Sequence, residues 1–107
     1  MALDAFGALA QETRLDIFRR LIREFPEPMA AGDIAAALDV PPSTLSTHLG
    51  ILSRAGLVKA ERRGRTILYA ADTEGARALL TYLIQDCCRG QPEICAPLLA
   101  AATPACC

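Results

Sequence analysis

"VPPSTLSTHLGILSRAGLV", residues 40–58, is the stretch on which the fold turns. Two prolines open it, and proline is tolerated just before a helix and in its first turn, where the N–H it lacks would go unbonded anyway. Gly56 is placed for a C-terminal cap. Between these stops Leu45, Leu49 and Leu52 recur at helical spacing, which predicts a helix from about Ser43 to Ala55 with its leucines turned to a core. Opposite them fall Ser43, Thr47, Gly50 and Arg54, flanked by Thr44 and Ser46. A face this small and hydroxylic fits a major groove about 12 Å wide and can hydrogen-bond phosphates and base edges. Standing alone it would equally be an ordinary surface helix rich in Ser and Thr. Its neighbours separate the two readings.

Upstream, "GDIAAALDV" (32–40) puts Ile34, Ala37 and Leu38 on one face, with Asp33 near the positive end of a short helix. Two helices separated by a few turn residues make a helix-turn-helix. Before it, "QETRLDIFRRLIREF" (11–25) sets Leu15, Phe18, Leu21, Ile22 and Phe25 on a stripe with arginines opposite, and "PEP" at 26–28 ends that helix. "ALDAFGALA" (2–10) offers Leu3, Phe6, Leu9 and Ala10, a helix too short to stand unless it docks.

Downstream, "LVKAERRGRTILYAA" (57–71) changes period. Val58, Ala60, Ile67 and Tyr69 lie in β-favouring runs on either side of "RRGR", with the turn expected at Arg63-Gly64. "DTEGARALLTYLIQDCC" (72–88) starts at Asp72, a good N-cap, and repeats Ala76, Leu79, Leu80, Leu83 and Ile84; Gly90 and Pro92 end it. The expected fold is mainly α with a small β-hairpin, a winged helix-turn-helix. Residues 1–92 form the DNA-binding and dimerisation domain, and 93–107 a cysteine-containing tail. At 107 residues a lone chain buries only about two thirds of its unfolded surface, and neither terminal helix can cover its stripe internally. Pairing of the first and last helices across a two-fold axis, in a homodimer, meets that need.

The net charge of −1 conceals an asymmetry. Residues 41–70 hold Arg54, Lys59, Arg62, Arg63 and Arg65 against Glu61, a balance of +4 that leaves −5 elsewhere. A charged run is more often a solvated face than a binding site, but here Arg62, Arg63 and Arg65 tip the hairpin that follows a groove-sized helix. A wing so placed reaches adjacent phosphates or the minor groove of double-stranded DNA. His48, the only histidine, is open between a structural or phosphate contact and a base contact; with no second histidine a metal role is disfavoured. No run approaches the roughly 18 apolar residues of a membrane span, and the N-terminus lacks a basic-then-apolar signal, so a cytoplasmic protein is expected.

All five cysteines, Cys87, Cys88, Cys95, Cys106 and Cys107, fall in the last 21 residues. Their odd count and adjacent pairs suit free thiols in a reducing compartment better than a disulfide framework. A thiol enzyme is disfavoured, because no histidine stands near them.

"ALAQETRLDIFRRL", "GDIAAALDVPPSTLSTHLGILSRAGLV" and "RRGRTILYAA" together resemble the ArsR/SmtB family of metalloregulatory repressors, over nearly all of the chain from Leu9 to Cys88. The resemblance implies a homodimer that binds an inverted-repeat operator and leaves it when a toxic metal or metalloid binds. It places Ser43, Thr44, Ser46, Thr47 and His48 on the recognition helix. Inducer sites in the family vary in position. The zinc-type site needs histidine on the last helix, where this chain offers Asp72 and Glu74 but no histidine; the common arsenic-type site needs cysteine in the third helix, where "AGDIAAAL" has none.

The C-terminal thiols remain. Thiolates prefer soft ions, and trivalent arsenic or antimony bound to sulfur is three-coordinate, whereas tetrahedral zinc wants four ligands. Cys87 and Cys88 end the last helix and Gly90 allows the chain to return Cys95; "CCRGQPEIC" resembles the C-terminal site of an arsenite-sensing branch of the family. The expected inducer is As(III), with Sb(III) and methylated arsenite open. Cys106 and Cys107 could cap that site, form a weaker second one or do nothing. A thiol redox switch on the same scaffold is the alternative, although no Cys-x-x-Cys pair is present.

Overall fold

A computed structural model describes residues 2–83 of the chain. The five cysteines, Ile84, Gly90, Pro92 and the boundary expected at residue 92 all lie outside the described residues. The elements run α1 (Ala2–Leu9), α2 (Glu12–Glu24), β1 (Met29–Ala30), α3 (Ala31–Leu38), α4 (Pro42–Arg54), β2 (Val58–Arg63), β3 (Thr66–Ala71) and α5 (Thr73–Thr81). This is a mainly helical winged helix-turn-helix with a small antiparallel sheet.

One core serves all of these elements. Leu45, Leu49 and Leu52 of α4 are fully buried as expected, each stabilising the fold by about 2 kcal/mol relative to an exposed leucine. They pack in one cluster with Ile17 and Leu21 of α2, Ile34 and Ala35 of α3, Leu57 and Val58, and Leu79 of α5. Three expected stripes are rotated. In α2 the buried pair is Ile17 and Leu21, while Leu15, Ile22 and Phe25 are exposed. In α3 Ala35 is buried and Ala37 is not. In α1 the small Ala5 and Ala8 face inward and Leu3 is 81% exposed, because a short helix lying close on the core buries its small side.

The sheet has order β1-β3-β2, and β1 was not foreseen. Its two residues, Met29 and Ala30, pair with Tyr69 and Leu68 of β3. In the hairpin Arg63 pairs with Thr66, so the two-residue loop is Gly64-Arg65 and Arg63 still belongs to the strand. Gly64 takes a φ of +63°, the conformation that a tight hairpin demands of its first loop residue and that glycine adopts without strain. The turn therefore sits one residue later than the sequence suggested.

Asp72 caps α5 as expected, its carboxylate accepting from the N–H groups of Glu74 and Gly75 at 3.1 and 3.3 Å. Helix α5 lies against α1, where the rings of Phe6 and Tyr82 meet edge to face at 6.2 Å. Leu79 turns inward, but Leu3, Leu80, Tyr82 and Leu83 remain exposed on this pair of helices. No helix among the described residues is long and apolar enough to cross a membrane.

Candidate nucleic-acid interface

The site begins at the turn between α3 and α4. Asp39 ends α3 in the left-handed conformation, φ +54°, one that a short polar side chain tolerates. Its N–H and that of Val40 both bond Ala35 O, which closes the turn. Pro41 and Pro42 then launch α4, whose first turn has no side-chain cap. Those N–H groups face the region where an anion gains most from the helix dipole.

On α4 the side chains of Ser43, Thr44, Ser46 and Thr47 are all exposed, opposite the buried leucines. Thr47 donates to Ser43 O at 3.3 Å, which leaves its oxygen free to accept. Arg62, Arg63 and Arg65 are exposed at the far end of the hairpin. Arg63 is bonded by its Nε to the carboxylate of Glu61, two residues back on the same face of β2. Among the described residues neither Arg62 nor Arg65 has an ion-pair partner. Of the eight residues expected to face DNA, the seven other than His48 are thus exposed on α4 and the hairpin.

His48 differs from its neighbours. It is half-buried on α4, and its Nδ1 lies 3.4 Å from Nη1 of Arg14 in α2. In the sequence Arg14 stands out only as part of "ALAQETRLDIFRRL", one of the stretches that carry the family resemblance. No local pattern announces a contact between residues 34 positions apart. The metalloid site expected at Cys87, Cys88 and Cys95, with Cys106 and Cys107, lies outside the described residues; among those described, no three His, Cys, Asp or Glu side chains stand together to hold a metal ion.

Replacing Arg63 and Arg65 with alanine is expected to weaken binding to every DNA sequence and to lower the slope of log K against log salt by about one to two units. Arg65 should account for the larger part, because Arg63 is already paired with Glu61. Titrations of a labelled duplex at several salt concentrations read this directly. An unchanged slope would remove the wing from the interface.

A fold of this kind, with a hydroxyl-faced second helix beside an arginine-tipped wing, defines a DNA-binding regulator and not an enzyme. Residues 9–61 match the helix-turn-helix domain family. The HTH-type transcriptional regulator YbzH of Bacillus subtilis is 34% identical over 93 residues, covering 76% of this chain and 93% of that protein. The transcriptional activator HlyU of Vibrio cholerae is 29% identical over 82 residues, 77% of this chain and 73% of the relative. Among solved structures, the homodimeric winged helix-turn-helix DNA-binding domain of a possible ArsR-family regulator from Mycobacterium bovis superposes with a TM-score of 0.64, at 30% identity over 78% of this chain and 77% of the other. The chain belongs to the ArsR/SmtB family of winged helix-turn-helix transcriptional regulators.

Proposed function

We propose that this regulator is a homodimeric repressor that binds operator DNA and is released when trivalent arsenic is captured by Cys87, Cys88 and Cys95. The observation that carries the DNA half is the exposed Ser43, Thr44, Ser46 and Thr47 face of α4 set beside the Arg62, Arg63 and Arg65 wing. Dimerisation is supported by the apolar side chains that α1 and α5 leave uncovered. A dimer presents two such helices to half-sites about one DNA turn apart. The inducer half rests on thiol chemistry: five cysteines at one end of an otherwise thiol-free chain suit a soft ion that three thiolates complete. The protein acts where operator and reduced thiols coexist, in the cytoplasm.

Release requires that the inducer bind the low-affinity conformation more tightly, and by linkage operator DNA must weaken arsenite binding by the same factor. Cys87→Ser, Cys88→Ser and Cys95→Ser are each expected to keep operator affinity and to lose arsenite-driven release. Cys106→Ser with Cys107→Ser should respond nearly as the parent does. Anisotropy of a labelled operator titrated with arsenite, antimonite and methylated arsenite decides among the inducers. Release of the Cys95→Ser variant at the parent's arsenite concentration would leave a two-thiol site for methylated arsenite. Reversible release by peroxide with none by arsenite would replace the metalloid reading with a redox switch. A reporter that rises on release identifies a repressor, and one that falls identifies an activator.

A further inference from the structure

Arg14 makes three contacts that no surface arginine needs. Its Nε donates to Ala8 O at 2.6 Å and its Nη2 to Gly7 O at 3.4 Å, both in the last turn of α1, while Nη1 reaches His48 Nδ1 on α4. Carbonyls at a helix end have spare acceptor capacity, which accounts for the first two; Gly7 O also accepts from the N–H of Ala10 at 3.2 Å. The third constrains chemistry. A guanidinium carries donors only, so Nδ1 of His48 is the acceptor; a neutral imidazole with an accepting Nδ1 holds its proton on Nε2. That Nε2 makes no hydrogen bond among the described residues, and it is not among their buried unpartnered atoms. It therefore meets solvent, one residue from Thr47 and one helical turn from Thr44, both on the exposed face.

We propose that Arg14 is a positioning residue that fixes His48 as a single tautomer, so that the recognition helix presents Nε2–H as a hydrogen-bond donor to an acceptor on the DNA. The inference rests on the DNA-binding reading above. The acceptor is a phosphate oxygen or a major-groove edge, where N7 and O6 of guanine, N7 of adenine and O4 of thymine offer lone pairs. Because the same guanidinium holds the end of α1, the state of the imidazole depends on where α1 sits.

His48 is the only histidine, so its ring signals need no assignment. In nitrogen-detected spectra of the neutral ring, the parent and Arg14→Lys should show the Nε2–H tautomer, and Arg14→Met a mixture of both. For DNA, an operator is first selected by the parent from random duplexes; if none is retained, the DNA-binding reading itself fails. With that operator, His48→Asn, which cannot reach the Nε2 position, should lose about tenfold in affinity, the order expected for one hydrogen bond to a charged or strongly polar acceptor. His48→Gln, whose amide can reach it, should recover most of that loss. Adding Arg14→Met to His48→Asn should cost little more. Loss confined to the operator places the acceptor on a base edge, and equal loss on random DNA places it on a phosphate. A parent ring in the Nδ1–H form, a tautomer indifferent to Arg14→Met, or fully additive losses in the double variant would overturn the proposal.

Discussion

Leu80→Glu is expected to yield a folded monomer whose operator affinity falls by about two to four orders of magnitude, the usual contribution of a second linked binding module. Leu80 is 58% exposed in the single chain, so the substitution removes little packing within it. The same position lies on α5, which packs next to α1, and Leu3 of α1 is likewise exposed. In a seam between subunits a glutamate would lose its water without gaining a partner, a cost large enough to prevent association. Sedimentation velocity should show the monomer and circular dichroism an intact helical fold. A tight dimer in this variant would mean that the subunits meet elsewhere.

The second large effect is expected from Gly75→Ala in the first turn of α5. Inside a helix this exchange normally stabilises by about 1 kcal/mol. Here a Cβ would lie 1.8 Å from Gly56 O and 2.8 Å from its carbonyl carbon, both backbone atoms. Neither side has room to yield. Gly56 is held at φ +81° just after α4, and the N–H of Asp72 is bonded to Leu57 O at 2.8 Å. The helix must be pushed off the core or the turn distorted, and overpacking of this kind costs about 1–3 kcal/mol or more. For a domain of this size each lost kcal/mol lowers Tm by about 4–8 °C. Calorimetry should record a fall of at least that size, with weaker operator binding. A Tm equal to or above the parent's would show that α5 does not start against Gly56.

The recognition helix was the most legible element, because prolines, a leucine triplet and a terminal glycine agree on its bounds and on its inner face. Asp72 was legible for the same reason, since a cap acts through its own next residues. The orientation of α2 was not. Leu15, Ile17, Phe18, Leu21, Ile22 and Phe25 cover so much of its circumference that periodicity alone does not choose which arc is buried. Met29 and Ala30 form a strand only because β3 offers them an edge, a long-range condition with no local signature. At the site, the hydroxyl and arginine side chains were readable from their spacing, whereas the role of Arg14 depends on two helices brought together by the fold.

Helix α4 is held at its middle and just past its end: Arg14 ties His48 to α1, and the packing of Gly75 on Gly56 sets α5 against the turn that follows it. In the proposed dimer the two reading heads then behave as the jaws of a caliper with little play. One extra base pair between half-sites moves the second by about 3.4 Å along the axis and swings it by about a tenth of a helical turn. Contacts this short leave little slack to follow that screw motion, so the proposed dimer would measure the distance between half-sites as strictly as it reads their letters.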